Sequence, residues 1–263
     1  MIEKFLNKII CGDCLQVIST LPDDSIDLCI TSPPYNVDLG EYDSYDDDRK
    51  HKEYIKWLTK IFKILFPKLK SGGRIAINIG DGCNGKVPTH VDIFNFMRHI
   101  GYLPMTTIIW EKGNTSRRTA WGTFKSPLNV SFPTPFEFVI VFVKESYRLQ
   151  ENGETDLTKD EFINWSMPVW RFPKSEYRRS MRLIRGRAHP APFPIELPTR
   201  LMKMLSWKGA VVLDPFVGSG STALACKNLE RKYIGIDISK KYCRIAENAL
   251  NQIRLISGSL FED

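Results

Sequence analysis

The segment 210-AVVLDPFVGSGSTALACKNL-229 decides the fold class of this chain. A short apolar β-forming run, Ala210 to Leu213, leads into a turn that contains Gly218 and Gly220, and a helical segment, Ala223 to Leu229, follows. Glycines in a strand-to-helix turn let backbone N–H groups approach a ligand closely, and a helix N-terminus favours an anionic group. The segment therefore predicts a strand–helix unit that binds an anionic small molecule.

An acid follows this unit at the spacing of a ribose ligand. The strand Tyr233 to Ile236 ends in Asp237, about 20 residues past the glycines, where a carboxylate can accept from both ribose hydroxyls. The third glycine of the dinucleotide fingerprint is missing after Gly220, and no Gly-Lys-Ser/Thr of a P-loop follows. A nucleoside that carries a carboxylate in place of phosphates fits the pattern, and this describes S-adenosylmethionine.

A second polar tip, 31-TSPPYN-36, follows the apolar strand Ile26 to Ile30. Its two prolines remove backbone donors and fix φ, so the strand must end in a rigid segment. The Ser32 hydroxyl and free backbone carbonyls can accept hydrogen bonds, and the Tyr35 ring can stack on a planar base. The pattern favours a grip on the amino group of a base. A strand exit with a packed tyrosine is the alternative that these residues leave open.

Strands and helices alternate along the rest of the chain. Apolar patterning predicts strands at Lys8–Cys11, Arg74–Ile79, Met105–Trp110 and Phe136–Val143. Helical periodicity predicts helices over 15–21, over 54–65 with an end near Gly72-Gly73, over 91–100 closed by Gly101, and after the segment 189–194. This rhythm predicts an α/β fold with a mostly parallel sheet and helices on both faces.

Composition bounds the class of protein. A chain of 263 residues with 43% apolar and 25% charged residues predicts one large α/β domain, or one domain with a sizeable insertion. We find neither a signal peptide nor an apolar run of about 18 residues, so we expect a cytoplasmic protein without membrane contact. The six scattered cysteines predict free thiols, and the single CxxC lacks the second pair of a zinc site, so no metal is expected. The six are Cys11, Cys14, Cys29, Cys83, Cys226 and Cys243.

Most of the net charge of +7 lies in one segment. Between Trp165 and Arg187, seven basic residues against Glu176 give +6, and they alternate with Trp165, Trp170, Phe172 and Tyr177. This mixture is suited to holding phosphates and stacking on sugars or bases, with a solvated basic face as the alternative. The long polar segment Glu111–Pro135 is typical of a functional loop. The basic residues predicted to bind DNA are Arg117, Arg118, Arg171, Lys174, Arg178, Arg179, Arg182, Arg185 and Arg187.

The chain resembles the amino-group DNA methyltransferases of the restriction–modification type, which methylate cytosine N4 or adenine N6. Two motifs carry the resemblance: Ser32-Pro-Pro-Tyr35 and Asp214-Pro-Phe-Val-Gly-Ser-Gly220. Phe193–Glu196 and Asp237 also fall where the family has cofactor motifs, so the resemblance covers almost the whole chain. The catalytic motif precedes the cofactor motif, with the variable insertion between them, which resembles the permuted β class. It implies a Rossmann-like S-adenosylmethionine-dependent fold, with a mostly parallel seven-stranded sheet and a small target-recognition insertion.

The resemblance also implies a division of the chain and a set of site residues. Residues 1–144 would form the catalytic half, 145–187 the target-recognition insertion, and 188–263 the cofactor-binding half. The implied catalytic residues are Ser32, Pro33, Pro34 and Tyr35. Asp13 would accept from the adenine amino group, and Phe193 would pack on the methionine portion or act only as a hydrophobic staple. The implied cofactor-binding residues are Asp13, Phe193, Asp214, Phe216, Gly218, Gly220, Ser221, Thr222 and Asp237.

The implied reaction is direct methylation of cytosine N4 on a flipped base in double-stranded DNA. Serine at the first motif position favours cytosine, whereas aspartate or asparagine there favours adenine, so adenine-N6 methylation is the alternative. A non-catalytic nucleic-acid-binding protein with the same fold is the alternative of another class. The resemblance leaves room for a homodimer and for a separate cognate restriction endonuclease.

Overall fold

A computed structural model of the chain describes residues 1–36, 50–82, 85–113, 127–130, 132, 134–173 and 193–258. Within these residues, eight strands form one sheet in the order β1-β8-β7-β2-β3-β5-β4-β6. The strands are β1 (Lys8–Cys11), β2 (Ile26–Thr31), β3 (Leu69–Ile79), β4 (Leu103–Glu111), β5 (Phe136–Val143), β6 (Val169–Arg171), β7 (Val211–Asp214) and β8 (Lys232–Asp237).

The sheet is mostly parallel, as predicted. Only β5 runs antiparallel to its neighbours β3 and β4 among the described strands. The sheet has one strand more than the seven of the family pattern. The extra strand is β6, which comes from the segment predicted as the insertion and pairs in parallel with the end of β4. Residues 169–171 of the predicted insertion therefore join the sheet through backbone hydrogen bonds.

Helices cover both faces of the sheet, which confirms the predicted architecture. One face carries α1 (Cys14–Thr20), α2 (His51–Leu65) and α3 (Thr89–Ile100). The other carries α5 (Glu196–Leu205), α6 (Ser221–Asn228) and α7 (Lys240–Gly258), while the short helix α4 (Lys159–Trp165) packs against α5.

The strands bury side chains on both faces because alternate residues point in opposite directions. In β2, Cys29 joins the core under α1 to α3, whereas Leu28 and Ile30 join the core under α5 and α6. A two-sided apolar strand of this kind forms a continuous hydrophobic run in the sequence. This is why the boundaries of β5 were predicted correctly.

The helix end predicted near Gly72-Gly73 is wrong. Helix α2 ends at Leu65, a turn with Pro67 follows, and both glycines lie inside β3. Gly72 has φ +78°, and a Cβ there would meet the backbone oxygen of Arg148 at 2.3 Å. The glycines therefore serve a close backbone approach within the sheet and do not end a helix.

Two further features of the described residues concern their cysteines and the length of their helices. The five cysteines that it includes are free thiols, and all but Cys11 are buried. None of its helices combines the length and the apolar character needed to cross a membrane.

The topology brings the carboxyl ends of β1, β8, β7 and β2 together along one edge of the sheet. Moving outward from the β2–β7 pair, the chain runs β7, β8, β1 on one side and β2, β3 on the other, so the strand order reverses between β2 and β7. Parallel α/β sheets bind ligands beyond the carboxyl ends of their strands at such a reversal. The polar residues predicted as functional end β7 and β8 or follow β1 and β2.

Candidate functional site at the carboxyl edge of the sheet

A buried hydrogen bond joins the two predicted motifs. Thr31 Oγ1 donates to Asp214 Oδ1 at 2.8 Å, and both side chains are buried. The register explains the contact, because Cys29 of β2 lies opposite Leu213 of β7. The residue after Thr31 is Ser32, so the end of β7 is tied to the start of the Ser-Pro-Pro-Tyr tip.

The Asp214 carboxylate is held by further donors. Thr222 Oγ1 donates to Oδ2 at 2.6 Å, and the Phe216 backbone N–H donates to Oδ1 at 3.0 Å. Burial raises the pKa of Asp214 to about 6, and the hydrogen bonds from Thr222, Thr31 and Phe216 act in the opposite direction. The sequence predicted Asp214 as a cofactor residue. In the structure its carboxylate connects β7 to β2 and α6 through hydrogen bonds.

The glycine turn packs against the acid at the end of β8. Gly218 N donates to Asp237 Oδ2 at 3.0 Å, and Ser239 N donates to Oδ1 at 2.8 Å. Each carboxylate oxygen keeps acceptor capacity beyond these bonds, since an ionised carboxylate has about four lone-pair sites. Burial raises the pKa of Asp237, and the two backbone N–H bonds lower it. The arrangement presents a fixed carboxylate beside the turn.

Gly220 is needed for packing as well as for the turn. Its φ of +92° is unfavourable for other residues, and a Cβ would lie 2.9 Å from the Ala246 Cβ of α7. Behind the turn, Ser221 Oγ donates to the Phe193 carbonyl at 2.9 Å, and the Thr222 hydroxyl is bound to Asp214. The two hydroxyls therefore serve the fold, and the first backbone N–H groups of α6 remain the groups that suit an anion.

Asp13 lies one strand beyond Asp237. Strand β1 pairs with β8 at Cys11 and Asp237, and Gly12 N donates to the Asp237 carbonyl at 2.9 Å. Asp13 caps α1, because its Oδ1 accepts from Leu15 N at 2.8 Å. The structure thus places Asp13 at the same edge and adds a capping role that the sequence did not predict.

The two predicted phenylalanines differ in exposure. Phe193 is 8% exposed and belongs to the core under α5, together with Leu197. Phe216 is half-buried, and its ring centroid lies 5.5 Å from that of Trp57 on α2. Phe216 and Trp57 therefore form an aromatic wall at the turn.

The Ser-Pro-Pro-Tyr tip is fixed by hydrogen bonds from both sides. The Tyr54 hydroxyl of α2 donates to the Pro34 carbonyl at 2.6 Å. Ser32 Oγ donates to the Tyr35 phenol oxygen at 3.1 Å. In the described part of the chain no donor is bonded to the Pro33 carbonyl. The tip thus has the rigidity that its prolines predicted.

Three functional candidates next to the tip were missed. Glu137, at the start of β5, is 3% exposed, and its Oε2 accepts from the Tyr35 hydroxyl at 2.9 Å and from Asn78 Nδ2 at 2.7 Å. Asn78 Nδ2 also lies 2.9 Å from the Tyr35 oxygen, and Lys112 forms an ion pair with Glu137 Oε1. A single acid in an apolar run was the only signal in the sequence for this cluster.

The aromatic residues before the basic segment are part of the core. Trp170 and Phe172 are buried, and the Arg200 guanidinium lies 5.6 Å and 4.6 Å from their ring centroids. The interpretation that these two rings stack on nucleic acid is therefore wrong. They pack with Trp110 and α5 and anchor the start of the segment.

The predicted DNA-binding residues are mostly outside the described residues. Arg171 is described: it is exposed and forms a 2.9 Å ion pair with Glu111. The others, which lie outside the described ranges, are Arg117, Arg118, Lys174, Arg178, Arg179, Arg182, Arg185 and Arg187. No group of three or more His, Cys, Asp or Glu side chains in the described ranges could hold a metal ion.

Comparison with known proteins gives a consistent family. A family model described as DNA methylase, N6_N4_Mtase, matches residues 26–248. The chain is 41% identical to the type II methyltransferase M.MjaVI of Methanocaldococcus jannaschii over 180 residues, 66% of this chain and 91% of that protein. It is 30% identical to M.BglII of Bacillus subtilis over 263 residues, 95% of this chain and 70% of that protein.

A solved structure agrees with these relatives. The putative DNA modification methylase TTHA0409 of Thermus thermophilus, in complex with S-adenosyl-L-methionine, superposes with a TM-score of 0.73 and 27% identity and covers 93% of both chains. The motif order, the sheet topology and these matches lead to one conclusion: the chain belongs to the N6/N4 amino-group DNA methylase family of the restriction–modification type.

Proposed function

We propose that this DNA methylase transfers the methyl group of S-adenosylmethionine to the exocyclic N4 amino group of cytosine at a specific site in double-stranded DNA. The observation that carries the proposal is the Thr31–Asp214 hydrogen bond, because it joins the cofactor turn to the catalytic tip at one sheet edge. Family membership supports amino-group methylation of DNA, and Ser32 supports cytosine as the base.

The residues of the turn fit the cofactor. The Asp237 carboxylate would accept from the ribose hydroxyls, and its contact with Gly218 N fixes it for this purpose. The N-terminus of α6, after Gly220, suits the methionine carboxylate, and Asp13 at the adjoining strand end would accept from the adenine amino group. Phe216 and Trp57 supply an aromatic wall. Phe193, which lies in the core under α5, would pack on the methionine portion of the cofactor.

The tip would act on the target amine. The amine is a weak nucleophile because its lone pair is delocalised into the ring. Ser32 Oγ and the Pro33 carbonyl would accept its two N–H bonds and favour a pyramidal nitrogen with a free lone pair. Tyr35 would stack on the flipped base, and Pro34, bonded to Tyr54, would keep the tip rigid.

Methyl transfer then needs no covalent enzyme intermediate. The cofactor supplies an electrophilic methyl group on a positively charged sulfur: the nitrogen lone pair forms the N–C bond, the S–C electron pair returns to sulfur, and one amine proton passes to water. The chain aligns the amine with that methyl group and holds the base in place. These are positioning and electrostatic contributions.

The remaining parts of the proposal concern recognition and context. Residues 145–187 would form the target-recognition insertion, between the catalytic half 1–144 and the cofactor half 188–263, and its basic residues would contact the DNA backbone. Base edges would be read in the grooves. We further propose a cytoplasmic location, a separate cognate restriction endonuclease and a homodimer, each of which can be tested on its own.

Product analysis tests the proposal. The purified protein is incubated with deuterated S-adenosylmethionine and unmethylated genomic DNA, and the DNA is digested to nucleosides for mass spectrometry. We expect deuterated N4-methylcytosine. N6-methyladenine would overturn the choice of base, and no methylated nucleoside would overturn the function.

Calorimetric titration tests the cofactor site independently. We expect Asp237→Asn to weaken S-adenosylmethionine binding by roughly 10- to 100-fold, since hydrogen bonds to a charged group contribute about 1.5–3 kcal/mol. Glu230→Gln removes an exposed carboxylate at the opposite sheet edge and should leave binding unchanged. Absence of binding by the wild type would favour the non-catalytic alternative.

A further inference from the structure

The Tyr35 hydroxyl lies at the centre of a hydrogen-bond chain that has one direction. Within the part of the chain that the structure describes, three side-chain atoms lie within hydrogen-bond distance of its oxygen: Ser32 Oγ at 3.1 Å, Asn78 Nδ2 at 2.9 Å and Glu137 Oε2 at 2.9 Å. A phenol has one proton to donate and two lone pairs to accept with, an amide nitrogen can only donate, and a carboxylate can only accept. The phenol proton must therefore point to Glu137, and Ser32 must donate to Tyr35.

The surroundings keep Glu137 an acceptor. Lys112 forms an ion pair with Oε1, while the Tyr35 hydroxyl and Asn78 both donate to Oε2. The side chain is 3% exposed, so these donors replace water around a buried charge. Glu137 is thus the final acceptor of the hydrogen-bond chain that runs from Ser32 through Tyr35.

The orientation of Asn78 supports this direction. Its Nδ2 faces Glu137 and Tyr35, which leaves its buried Oδ1 without a hydrogen-bond partner among the described residues. A buried acceptor without a partner is unfavourable, because it has lost its hydrogen bond to water. The opposite amide orientation is less favourable, because it would place Asn78 Oδ1 against the Glu137 carboxylate.

We propose that Glu137 is a positioning residue that acts through Tyr35 to make the Ser32 hydroxyl an acceptor toward the target amine. The inference rests on the proposed role of Ser32. A serine hydroxyl usually rotates and can either donate or accept. Here its proton is committed to Tyr35, so only lone pairs face the site. A chain that ends on a carboxylate also polarises each hydroxyl in it, which strengthens Ser32 as an acceptor.

Substitution of Glu137 by glutamine should reverse the direction of the hydrogen bonds that link residue 137, Tyr35 and Ser32. With the amide oxygen kept toward Lys112, the amide nitrogen would face Tyr35 and Asn78, and the phenol proton would turn toward Ser32. We expect Glu137→Gln to slow single-turnover methyl transfer by about 100-fold, the lower end of the range for losing one well-placed catalytic hydrogen bond. The dissociation constant of S-adenosylmethionine should change by less than about twofold, because Glu137 lies outside the cofactor turn.

A double-mutant cycle separates this role from a purely structural one. Tyr35→Phe keeps the ring but removes the oxygen that links Ser32 to Glu137, and it should slow methyl transfer by a similar factor. In the Tyr35→Phe background, Glu137→Gln should have almost no further effect on the rate. A structural contribution of Glu137 would instead slow both backgrounds equally. Asp27→Asn is the matched control: Asp27 is half-buried, pairs with Lys70 at 2.9 Å, and lies near the start of β2, at the end of the strand away from Ser32.

The outcomes separate the inference from the proposed function. No DNA methylation by the wild type would overturn the function itself. If the wild type is active, two results would overturn only the proposed relay from Glu137 through Tyr35 to Ser32. One is a wild-type rate in Glu137→Gln, and the other is equal slowing by Glu137→Gln in both backgrounds. If thermal unfolding shows that Glu137→Gln does not fold, Tyr35→Phe decides: a wild-type rate contradicts the relay, and slowing with unchanged cofactor affinity supports it.

Discussion

Thr31 and Asp214 are 183 residues apart in the chain and share a buried hydrogen bond of 2.8 Å. Thr31 precedes Ser32, the proposed catalytic serine, and Asp214 begins the proposed cofactor turn. The bond crosses from β2 to β7 at the point where the strand order of the sheet reverses. The two halves of the proposed reaction therefore share one rigid joint.

Removal of the Thr31 hydroxyl should loosen this joint. Thr31→Val keeps the shape of the side chain but leaves the buried carboxylate with one donor fewer, so we expect a loss of about 1–3 kcal/mol in the free energy of unfolding. Methyl transfer should also slow, because the tip loses its tie to the turn. Thr31→Ser keeps the hydroxyl and should retain most of both properties. Equal urea unfolding curves for the valine and serine variants would contradict this role.

The pH dependence of stability should reveal the ionisation of Asp214. Burial raises the pKa of Asp214 from its ordinary value of 3.8 to about 6, so the folded protein binds this proton more tightly than the unfolded chain does. The resulting stabilisation is fully present below the unfolded pKa and is lost as the pH rises through the folded pKa. The loss should amount to about 3 kcal/mol, at 1.36 kcal/mol per pKa unit.

Asp214→Asn provides the reference for that measurement, because asparagine does not titrate. Urea unfolding at intervals from pH 4 to pH 7 gives the difference in unfolding free energy between the wild type and the variant. We expect the difference to shift in favour of the variant across this range, since only the wild type must ionise a buried group. A constant difference would show that Asp214 titrates normally.

Two glycines with positive φ should differ in their tolerance of alanine. Gly220→Ala adds a Cβ 2.9 Å from Ala246 Cβ, whereas Gly209→Ala meets no atom within 4 Å, although its φ is +75°. Backbone strain costs about 1–2 kcal/mol at either site, and the collision should add roughly 1–3 kcal/mol at Gly220 alone. Unfolding free energies of the two variants measure this difference. Equal losses would mean that α7 yields to the added methyl group.

The salt dependence of DNA binding tests the basic segment. Each phosphate contact contributes nearly one unit to the slope of log affinity against log salt, so Arg178→Ala with Arg179→Ala should reduce the slope by about two. Lys8→Ala with Lys232→Ala removes the same charge from the first residues of β1 and β8 and should leave the slope unchanged. Equal slopes for both double variants would exclude Arg178 and Arg179 from DNA binding.

The elements that the sequence predicted best are those with a local cause. Phe136–Val143 was predicted with its observed bounds, because an apolar β-forming run of this length is typical of a strand buried on both faces. Lys8–Cys11 is a partly exposed edge strand, and its bounds were predicted because Gly12 ends the run. Gly72 and Gly73 were misinterpreted because a glycine pair after a helix is typical of a helix end. Here Gly72 admits the Arg148 backbone, a contact with a residue far along the chain, and Gly73 lies close to the backbone oxygens of Lys70 and Ile26.

Long-range partners explain what the sequence could not provide at the site. The proposed role of Glu137 depends on its hydrogen bonds with Tyr35 and Asn78, which are 102 and 59 residues away. The residues next to Glu137 in the sequence do not predict these partners. Trp170 and Phe172 looked suited to nucleic acid because they stand among basic residues. Their burial depends on β4 and α5, which local composition does not encode.

The central claim is that the cofactor turn and the Ser-Pro-Pro-Tyr tip serve a single reaction centre. A crystal structure with sinefungin, an unreactive analogue of S-adenosylmethionine, tests this claim most directly. The account predicts ribose hydroxyls bound to Asp237 and the amine of the analogue, which replaces the reactive methyl group, directed toward Ser32 Oγ. An analogue bound elsewhere, or with that amine directed away from Ser32, would contradict it.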